Sequence, residues 1–586
     1  MLDQPAFLNV TRSLSGRRWV GPPEAVERAA QALAQQAGVP LALATLLAQR
    51  GVDAAQVDSF LAPSIRDLLP DPRSMRDMEP AATRFLTAVE KRERIAIFAD
   101  YDVDGGSSAA LLITWLRAQG HAATLYIPDR IDEGYGPNET AMSALARDHD
   151  LIICVDCGTL SHGPIAAARG SDVIVLDHHL GGETLPEALA VVNPNRQDED
   201  GVLGHLCAAA VVFLMLVEAG RQLREAGQKG PDLMALLDLV ALATVADVAP
   251  LTGVNRAFVR QGLKVMAGRH RIGLRALADQ ARLDTAPSAY HLGYVLGPRI
   301  NAGGRIGAAD LGARLLATAD SNEAEALAER LETLNTERRE VEAAVRDAAL
   351  LQAEERGIEG GLAWAAGDGW HPGVVGIVAS RMKESTHRPS IVIGFDGDAG
   401  KGSGRSVAGI DLGAAIQRLA SEGMIEKGGG HRMAAGLSLS RAQLEPAMAR
   451  LEDLLARQGA DSLGAAADLR CDSVLMPGAA TLELVEELEA AGPFGASAPA
   501  PRFAFPGVTV SFAKRAGDAH LRLTLSDGMG GTLPAICFNA FETEIGPTLL
   551  EAGGRRIHAA GRLDINTWRG RQSVQLRLDD AALAEK

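Results

Sequence analysis

The sequence predicts an α/β protein of several domains: a doubly wound parallel sheet, a long connecting helix, a second α/β domain and a small C-terminal β-barrel. From Arg94, short apolar runs such as IAIFAD, LIICVD and VIVLDHH alternate with helical stretches, which is typical of a parallel sheet covered on both faces. Residues 321–356 contain neither Gly nor Pro. After Pro501, apolar and polar residues alternate, which indicates short strands. Because one core rarely exceeds about 250–300 residues, a chain of 586 residues needs several domains.

The domain boundaries are expected to follow these patterns. Residues 1–75 have helical apolar spacing broken by Gly and Pro, show no chemistry, and are expected to pack on the first α/β domain, residues 76–320. The connector covers residues 321–358 and the second α/β domain residues 359–455. Residues 456–586 form an Ala-rich, mostly helical bridge followed by the barrel.

The connector is expected to be one long helix. Asp320 and Glu323 form a capping box, and Leu327, Leu331 and Leu334 recur at helical spacing. A continuous helix would be about 54 Å long at about 1.5 Å per residue, which suits a link between two domains. A helical hairpin that turns near Asn335 is the open alternative.

The charge balance limits the function. The chain has 74 acidic and 58 basic side chains, a formal net charge of −16, which argues against a protein that coats polyanions. It does not exclude a nucleic-acid enzyme whose carboxylates cluster on metal ions. The segment 501–586 differs from the whole, with 11 basic and 9 acidic residues.

Cysteine content and hydropathy predict a cytoplasmic protein. Five cysteines, an odd number without dense spacing, indicate a reducing compartment. The first residues lack the basic and apolar segments of a signal peptide. The uncharged stretch 201–217 is too short to cross a bilayer and is expected to be a buried helix.

The first chemical motif is the acidic turn Asp100-Tyr-Asp102-Val-Asp104, which follows the strand IAIF. Alternating acids in a tight Gly-containing turn bring carboxylates close together, where they repel unless divalent cations neutralise them. An EF-hand loop does not fit, because its spaced ligands and terminal Glu are missing and the turn follows a strand.

Two further strands lead to metal-binding side chains. Asp156 ends the run LIICV, and Asp177, His178 and His179 end the run VIVL. Ligands of open α/β sheets bind beyond the carboxyl ends of the strands, so all these groups are expected at one edge. Carboxylates mixed with imidazoles suit Mn²⁺ or Mg²⁺ better than a structural zinc.

Two other acidic or thiol groups need an interpretation. Asp247 lies in the apolar run LVALATVADVAPL, where an unpaired charge would be costly, so it is either an ion-pair member or a metal ligand. The other carboxylates favour the ligand. Cys154 and Cys157 resemble a C-x-x-C motif, but without a second pair they are interpreted as small buried residues.

These motifs resemble those of the DHH phosphoesterase superfamily. DYDVDG, VDCG, DHH and ATVADVAPL occur in the order of that superfamily, and the chain is similar to its bacterial branch of single-strand-specific 5′→3′ DNA exonucleases. The later segments GPRINAGGRIG, GWHPGVVGIVASR, GSGRS, GGGHRMAAG and NTWRGRQSVQLRLDD carry the same resemblance, which begins at about residue 75. It implies a DHH domain, a DHHA1 domain and an OB-fold barrel.

The resemblance also implies a site for two divalent ions, Mn²⁺ or Mg²⁺, about 3.5–4 Å apart. Asp156 is the expected bridging ligand, His179 is expected to face the phosphate, and Asp177 is expected to orient the two histidines. The implied ligands are Asp100, Asp102, Asp104, Asp156, His178 and Asp247. The catalytic group comprises these residues without Asp100 and with His179.

Basic and Gly-rich motifs are expected to bind the substrate, since guanidinium forks and exposed backbone N–H groups suit phosphates. Each of these residues could also be an ordinary surface, ion-pair or turn residue, and Trp568 could be a core residue. The candidates are Arg130, Arg299, Asn301, Arg305, His371, Ser403, Arg405, Ser406, Gly428, Gly429, Gly430, His431, Trp568, Arg569 and Arg571.

The resemblance implies a cytoplasmic exonuclease that degrades single-stranded DNA from a 5′ end and releases 5′-mononucleotides, in DNA repair and recombination. A single-strand-binding protein and a helicase are candidate partners; no membrane is involved, and a monomer is expected. Two alternatives stay open: a DHH phosphodiesterase of short oligonucleotides or cyclic dinucleotides, and a non-catalytic replication scaffold. The presence of every expected acid and His argues against the scaffold.

Overall fold

The computed structural model describes residues 5–129, 133–357, 360–459, 468–568 and 570–584. It divides into two compact units. The larger unit contains Leu69–Pro250 and Phe258–Ala465, and the barrel unit contains Met1–Leu68, Leu251–Ala257 and Ala466–Lys586.

The N-terminal segment of the barrel unit is a short strand followed by helices. Helix α1 is amphipathic, burying Ala30 and Leu33, and ends at Gly38 in the left-handed conformation that favours glycine. The elements are β1 (Trp19–Val20), α1 (Glu24–Ala37), α2 (Leu41–Gln49), α3 (Val57–Leu61) and α4 (Ile65–Leu68).

The larger unit begins with a five-stranded, all-parallel sheet in the order β3-β2-β4-β5-β6. Strands β2 and β4 are buried along their whole length, which explains their continuous apolar sequences. The elements are α5 (Met78–Glu90), β2 (Ile95–Ala99), α6 (Val103–Ala118), β3 (Ala123–Tyr126), α7 (Glu139–Asp148), β4 (Leu151–Val155), α8 (His162–Ala167), β5 (Asp172–Leu176) and β6 (Ala190–Val192).

A helical layer follows this sheet. Helix α9 is buried over most of its first three turns. The buried helix expected over residues 201–217 therefore exists, but it begins at Ala208, and residues 201–207 precede it without being helical. A π-helical turn, His291–Leu296, leads directly into α13. The helices are α9 (Ala208–Glu225), α10 (Leu237–Ala246), α11 (Gly253–Ala267), α12 (Ile272–Gln280), α13 (Gly297–Ile306) and α14 (Leu311–Ala317). Among the described residues, no helix has the length and hydropathy needed to span a bilayer.

The connector is a single helix, α15 (Ser321–Arg356), without a hairpin turn. The Asp320 side chain accepts hydrogen bonds from the Asn322 and Glu323 N–H groups at its first turn. Ten side chains along the helix are buried, from Ala324 to Ala353, so packing rather than helix propensity stabilises it.

The second α/β part of the larger unit is a five-stranded sheet in the order β10-β11-β9-β8-β7. Only β7 and β8 pair in parallel; the other pairs are antiparallel. The elements are β7 (Ala363–Asp368), α16 (Pro372–Thr386), β8 (Ser390–Asp396), β9 (Ala399–Arg405), α17 (Leu412–Ser421), β10 (Lys427–His431), β11 (Ala434–Ser440) and α18 (Leu444–Gly459).

The C-terminal part of the barrel unit is a closed barrel of five long strands. They follow the order β14-β15-β16-β18-β17, and a β14–β17 pairing closes the barrel. Leu521, Leu523 and Leu525 all point inward, as the alternation in the sequence predicts. The elements are β12 (Leu469–Arg470), β13 (Ser473–Val474), α19 (Leu482–Ala490), β14 (Phe503–Ala516), β15 (His520–Ser526), β16 (Thr532–Cys537), α20 (Ile545–Leu550), β17 (Arg556–Trp568) and β18 (Arg571–Leu583).

The predicted fold class, two α/β domains and a barrel, is confirmed, but the N-terminal segment differs from the expectation. One apolar core contains Leu43 and Leu47 of α2 together with Phe505, Leu523 and Leu576 of the barrel. Residues 1–68 therefore belong to the barrel unit and not to the first α/β domain. Apolar spacing shows which face of a helix is buried, but not which partner covers it.

This shared core predicts a difference between two leucines of α2. Leu47 is fully buried in it, whereas Leu41 is 52% exposed. We expect Leu47→Ala to lower the free energy of unfolding of the full chain by about 2–5 kcal/mol. Leu41→Ala is the matched control and should stay within about 0.5 kcal/mol. Urea unfolding followed by circular dichroism measures both, and equal effects would contradict the shared core.

Candidate metal centre and phosphate cleft

Carboxylates and imidazoles meet at the carboxyl ends of β2, β4 and β5. Three groups of side chains there could each hold a metal ion, because within each group the ligand atoms lie within 4.8 Å of one another. The groups are Asp100 with Asp102 and Asp156; Asp104 with His178 and Asp247; and Asp156 with His178 and His179. The structure thus brings together every metal ligand predicted from the sequence.

The acidic turn after β2 is held by its own backbone. Asp102 caps helix α6, and its Oδ1 accepts hydrogen bonds from the N–H groups of Asp104 (2.9 Å) and Gly105 (3.1 Å). A Cβ at Gly105 would lie 2.4 Å from the carbonyl oxygen of Asp100, so only glycine fits this turn.

The carboxylate of Asp104 lies at the N-terminus of helix α9. Its two oxygens accept hydrogen bonds from the backbone N–H groups of Ala208 (2.7 Å) and Ala209 (2.8 Å). These contacts and the helix dipole stabilise its negative charge in a buried place. The sequence gives no signal for this contact, since any residue but proline supplies a backbone N–H.

Asp156 provides the test of whether a cation fits. It is 2% exposed and adopts a left-handed backbone conformation (φ +61°). Its Oδ1 has no hydrogen-bond partner within the described part of the chain; Nε2 of His178, at 3.3 Å, lacks hydrogen-bond geometry. A buried carboxylate oxygen without a donor is costly, and a divalent cation would satisfy it.

The acids of the cluster are buried close to one another. Burial, together with the neighbouring acids, raises the pKa of Asp104 and that of Asp156, and it raises the pKa of Asp247 to about 8. Oxygen ligands combined with imidazole suit Mn²⁺ and Mg²⁺. These residues therefore fit divalent ions.

Asp177 holds the histidine pair. Its Oδ1 accepts hydrogen bonds from the N–H groups of His178 (2.8 Å) and His179 (3.2 Å) and pairs with Nδ1 of His179 (2.8 Å). Its Oδ2 accepts from the N–H and hydroxyl of Thr159. Burial alone would raise the pKa of Asp177, but His179 holds it below the usual range. Although burial lowers the pKa of His179, Asp177 raises it to about 9.

Sequence reasoning missed three residues that support the histidines. Asn193 and Asn195 donate side-chain hydrogen bonds to the backbone carbonyls of His179 (2.8 Å) and His178 (2.6 Å). The Tyr135 hydroxyl lies 3.2 Å from Nε2 of His179. The position of the two asparagines could have identified them, because they directly follow β6, a parallel strand that ends at the same edge of the sheet.

A cleft of about 680 Å³ in the larger unit contains much of the predicted phosphate site. It lies between the end of α13, the start of α16 and strands β9 to β11. Lys401 and Lys427, which were not predicted, add positive charge. The predicted residues that line it are Arg305, Ser403, Arg405, Gly428, Gly429 and Gly430.

Two glycine contacts tie the metal centre to this cleft through α13. A Cβ at Gly304 would lie 1.9 Å from the ring of Tyr101, in the acidic turn. A Cβ at Gly373, the second residue of α16, would lie 2.3 Å from the backbone oxygen of Arg305. Helix α13 therefore contacts both sites with no room for one further methyl group.

Other predicted substrate residues are engaged elsewhere. Arg299 forms a bidentate ion pair with Glu332 of α15. The Asn301 Oδ1 accepts a hydrogen bond from the Val103 N–H (3.0 Å), so it supports the acidic turn. Ser406, predicted to bind phosphate, is 1% exposed and donates to the Ile410 carbonyl, which turns it away from the cleft.

The remaining candidates lie at the margin or outside the described residues. His371 caps α16 by accepting the Gly373 N–H (3.1 Å), and His431 is exposed at the end of β10. Arg130, Arg569 and the side chain of Trp568 lie outside the described residues.

The outer face of the barrel carries a cationic row that the sequence analysis did not identify. Its four basic members lie on four of the five strands, with Ile536 of β16 between Arg522 and Arg577: Lys514, Arg522, Arg577 and Arg562. Phe512 (51% exposed) and Phe538 (48% exposed) lie near this row. The sequence does indicate this face, because apolar and polar residues alternate in β15 and Arg522 lies between two inward-pointing leucines.

Comparisons with known proteins agree with this architecture. Residues 94–244 match the DHH family, N-terminal domain; residues 359–457 match the DHHA1 domain; and residues 471–580 match the RecJ OB domain. Fold and site thus define a protein of the DHH phosphoesterase class.

Curated relatives narrow the class to one family. The single-stranded-DNA-specific exonuclease RecJ of Dickeya dadantii is 39% identical over 92% of this chain and 96% of its own length. The RecJ of Escherichia coli is 38% identical over 93% and 96%. The chain belongs to the RecJ family.

Solved structures of a relative contain the metal ions that the ligand chemistry favours. RecJ of Thermus thermophilus in complex with Mn²⁺ superposes with a TM-score of 0.80 at 29% identity, covering 97% of this chain and 80% of that one. The Mg²⁺ complex gives 0.74 at 28% identity, covering 97% and 79%. Both ions named in these structures are those that the ligand chemistry favours here.

Asp156, a candidate ligand, and Asp177, which orients the histidines, should affect metal affinity differently. Asp156→Asn should abolish detectable Mn²⁺ binding, because it removes a central carboxylate of the cluster. Asp177→Asn should reduce Mn²⁺ affinity by about 10–100-fold at most, since Asp177 orients the histidines but belongs to none of the three ligand groups. Titration of Mn²⁺ followed by electron paramagnetic resonance, without DNA, measures both. Complete loss of binding in both variants would contradict this assignment.

Proposed function

We propose that the protein is a single-stranded-DNA-specific exonuclease that hydrolyses phosphodiester bonds from the 5′ end and releases 5′-mononucleotides, in DNA repair and recombination. The observation that carries the proposal is the pairing, within one unit, of a carboxylate–histidine cluster that fits divalent ions with a cationic cleft. Relatives named single-stranded-DNA-specific exonucleases support the substrate. The direction is what the resemblance of the sequence motifs implies.

The proposed metal ligands are Asp100, Asp102, Asp104, Asp156, His178 and Asp247. When bound, two Mn²⁺ or Mg²⁺ ions would supply an activated water and stabilise the charge of the scissile phosphate. Asp156 is the proposed bridging ligand, because it belongs to two of the three groups of ligand atoms and has an unsatisfied oxygen.

His179 is the proposed contact to the scissile phosphate. Asp177 fixes its Nδ1 and Asn193 its backbone carbonyl, so the imidazole has one orientation. Nε2 then faces away from Asp177, beside the Tyr135 hydroxyl, where it can donate a hydrogen bond to a phosphate oxygen.

The cleft is the proposed site for phosphates of the strand. Arg305 and Arg405 supply planar guanidinium groups, and Lys401 and Lys427 supply further charge. Gly429 has no heavy atom near the place where a Cβ would be, so its backbone is open to a ligand. A phosphate could therefore approach the main chain closely.

We also propose a cytoplasmic, monomeric enzyme. The five cysteines are free thiols, as in a reducing compartment. Metal cluster and cleft are built from one chain, so no second copy is needed. Its proposed partners are a helicase, which would supply single strand, and the single-strand-binding protein that covers it.

The deciding experiment compares substrates and ends. The protein is incubated with 5′- or 3′-labelled single-stranded and duplex DNA, with Mn²⁺ or with chelator. We expect mononucleotides from the 5′ end of single strands only, and none with chelator. Asp102→Ala should lower the rate at least about 1,000-fold, whereas Glu187→Ala, an exposed acid outside the cluster, should not change it. Cleavage of dinucleotides alone, or binding without cleavage, would refute the proposal.

The cationic row on the barrel predicts a second effect on binding. Base–aromatic stacking contributes about 1–3 kcal/mol per base, so Phe538→Ala should weaken binding of a long single strand by roughly 5–150-fold. Arg522→Gln should weaken it and lower its salt dependence. Fluorescence anisotropy with chelator present measures affinity without cleavage. Leu550→Ala, also exposed but on α20, is the control; an equal loss there would remove the barrel face from the proposal.

A further inference from the structure

A second cationic cavity, of about 360 Å³, lies between α13, α15 and α16 in the larger unit. It is separate from the cleft already described but shares Arg305 with it. Five arginines line it: Arg299, Arg305, Arg338, Arg339 and Arg381.

The carboxylates around this arginine pocket do not balance its charge. Arg299 and Arg339 share Glu332, while Arg338 and Arg381 share Glu342. Glu384 pairs with Arg381 as well. Five guanidinium groups thus face three carboxylates, and the shared acids orient the arginines without neutralising all of them.

Arg338 is the least satisfied member. Its residue is 8% exposed, and two of its nitrogens contact Glu342 and Asn335. Its buried Nε has no hydrogen-bond partner among the residues that the structure describes. Burial, and then the positive charges of Arg305 and Arg339, lower the pKa of Arg338 despite Glu342. The site therefore has an excess of donors and of positive charge, which an anion would relieve.

The pocket also lies beside the proposed chemistry. Asn301 lines it and accepts the Val103 N–H of the acidic turn through its Oδ1. Arg305 donates to the backbone carbonyl of Gly373 at the edge of the phosphate cleft. Residues of the pocket thus also contact the acidic turn and the edge of the phosphate cleft.

We propose that the arginine pocket binds a phosphate group, in addition to those held by the cleft and the metal centre. Planar guanidinium forks suit tetrahedral oxyanions, and the cavity is of the size of a small ligand or a single nucleotide. This inference rests on the proposed nuclease function. The phosphate has two chemical sources, the backbone of the bound strand or the released mononucleotide, and the experiment distinguishes them.

The test uses the full-length double variant Arg339→Gln/Arg381→Gln, because both side chains are more than half exposed and their loss should not prevent folding. Arg346→Gln is the matched control: it is on α15 like Arg339, pairs with Asp347 and lies outside the pocket. Thermal unfolding confirms that each variant folds. Affinity for a 5′-phosphorylated single strand is measured with chelator over a range of salt concentrations, and inhibition of cleavage by dTMP is measured with Mn²⁺.

If the pocket holds a strand phosphate, the double variant binds the strand about tenfold more weakly, and the slope of log affinity against log salt decreases by about 0.7. If it holds the released nucleotide, strand affinity is unchanged and dTMP inhibits about tenfold more weakly. If the double variant matches Arg346→Gln in both measurements, the inference is overturned. Cleavage by the unmodified protein would still support the proposed function in that case.

Discussion

The metal centre depends on carboxylates that a parallel sheet holds close together at one edge, where they repel one another. Because β2, β4 and β5 run in the same direction, their carboxyl ends bring Asp102, Asp156 and Asp177 together. The fold opposes this repulsion with donors where it can, through α9 at Asp104 and His179 at Asp177. It leaves Oδ1 of Asp156 without a donor among the described residues, and that deficit makes the edge fit cations.

Much of the fold and the metal centre could be predicted because both follow from local patterns. Continuous apolar runs identify parallel strands, and the residue after each run is fixed at the sheet edge whatever the rest of the chain does. This was sufficient for Asp100 to Asp104, Asp156 and the histidine pair. The same argument extends to Asn193, which follows a shorter strand and was overlooked for that reason.

What could not be predicted depends on partners distant in sequence. Arg299 is one guanidinium in a Gly-rich motif until α15 brings Glu332 to it, 33 positions away. Ser406 lies three residues from Ser403, yet one lines the cleft and the other is buried against Ile410. The core shared by α2 and the barrel joins segments separated by more than 400 residues. In each case the sequence shows the type of the side chain, but not the residue that contacts it in the fold.

Helix α13 limits how far the spacing between the metal centre and the phosphate cleft can change. Its Gly304 packs on the ring of Tyr101 and its Arg305 carbonyl packs on Gly373 of α16, both without room for a methyl group, and a π-helical turn leads directly into it. The helix therefore acts as a spacer of fixed length between the place where a bond would be cut and the place where phosphates would be held. Side-chain substitutions can tune affinity at either end, but a change in the spacing between the two ends requires a change in the backbone of the helix. A chain with a longer spacing between these two places would need a different helix here and not merely different arginines.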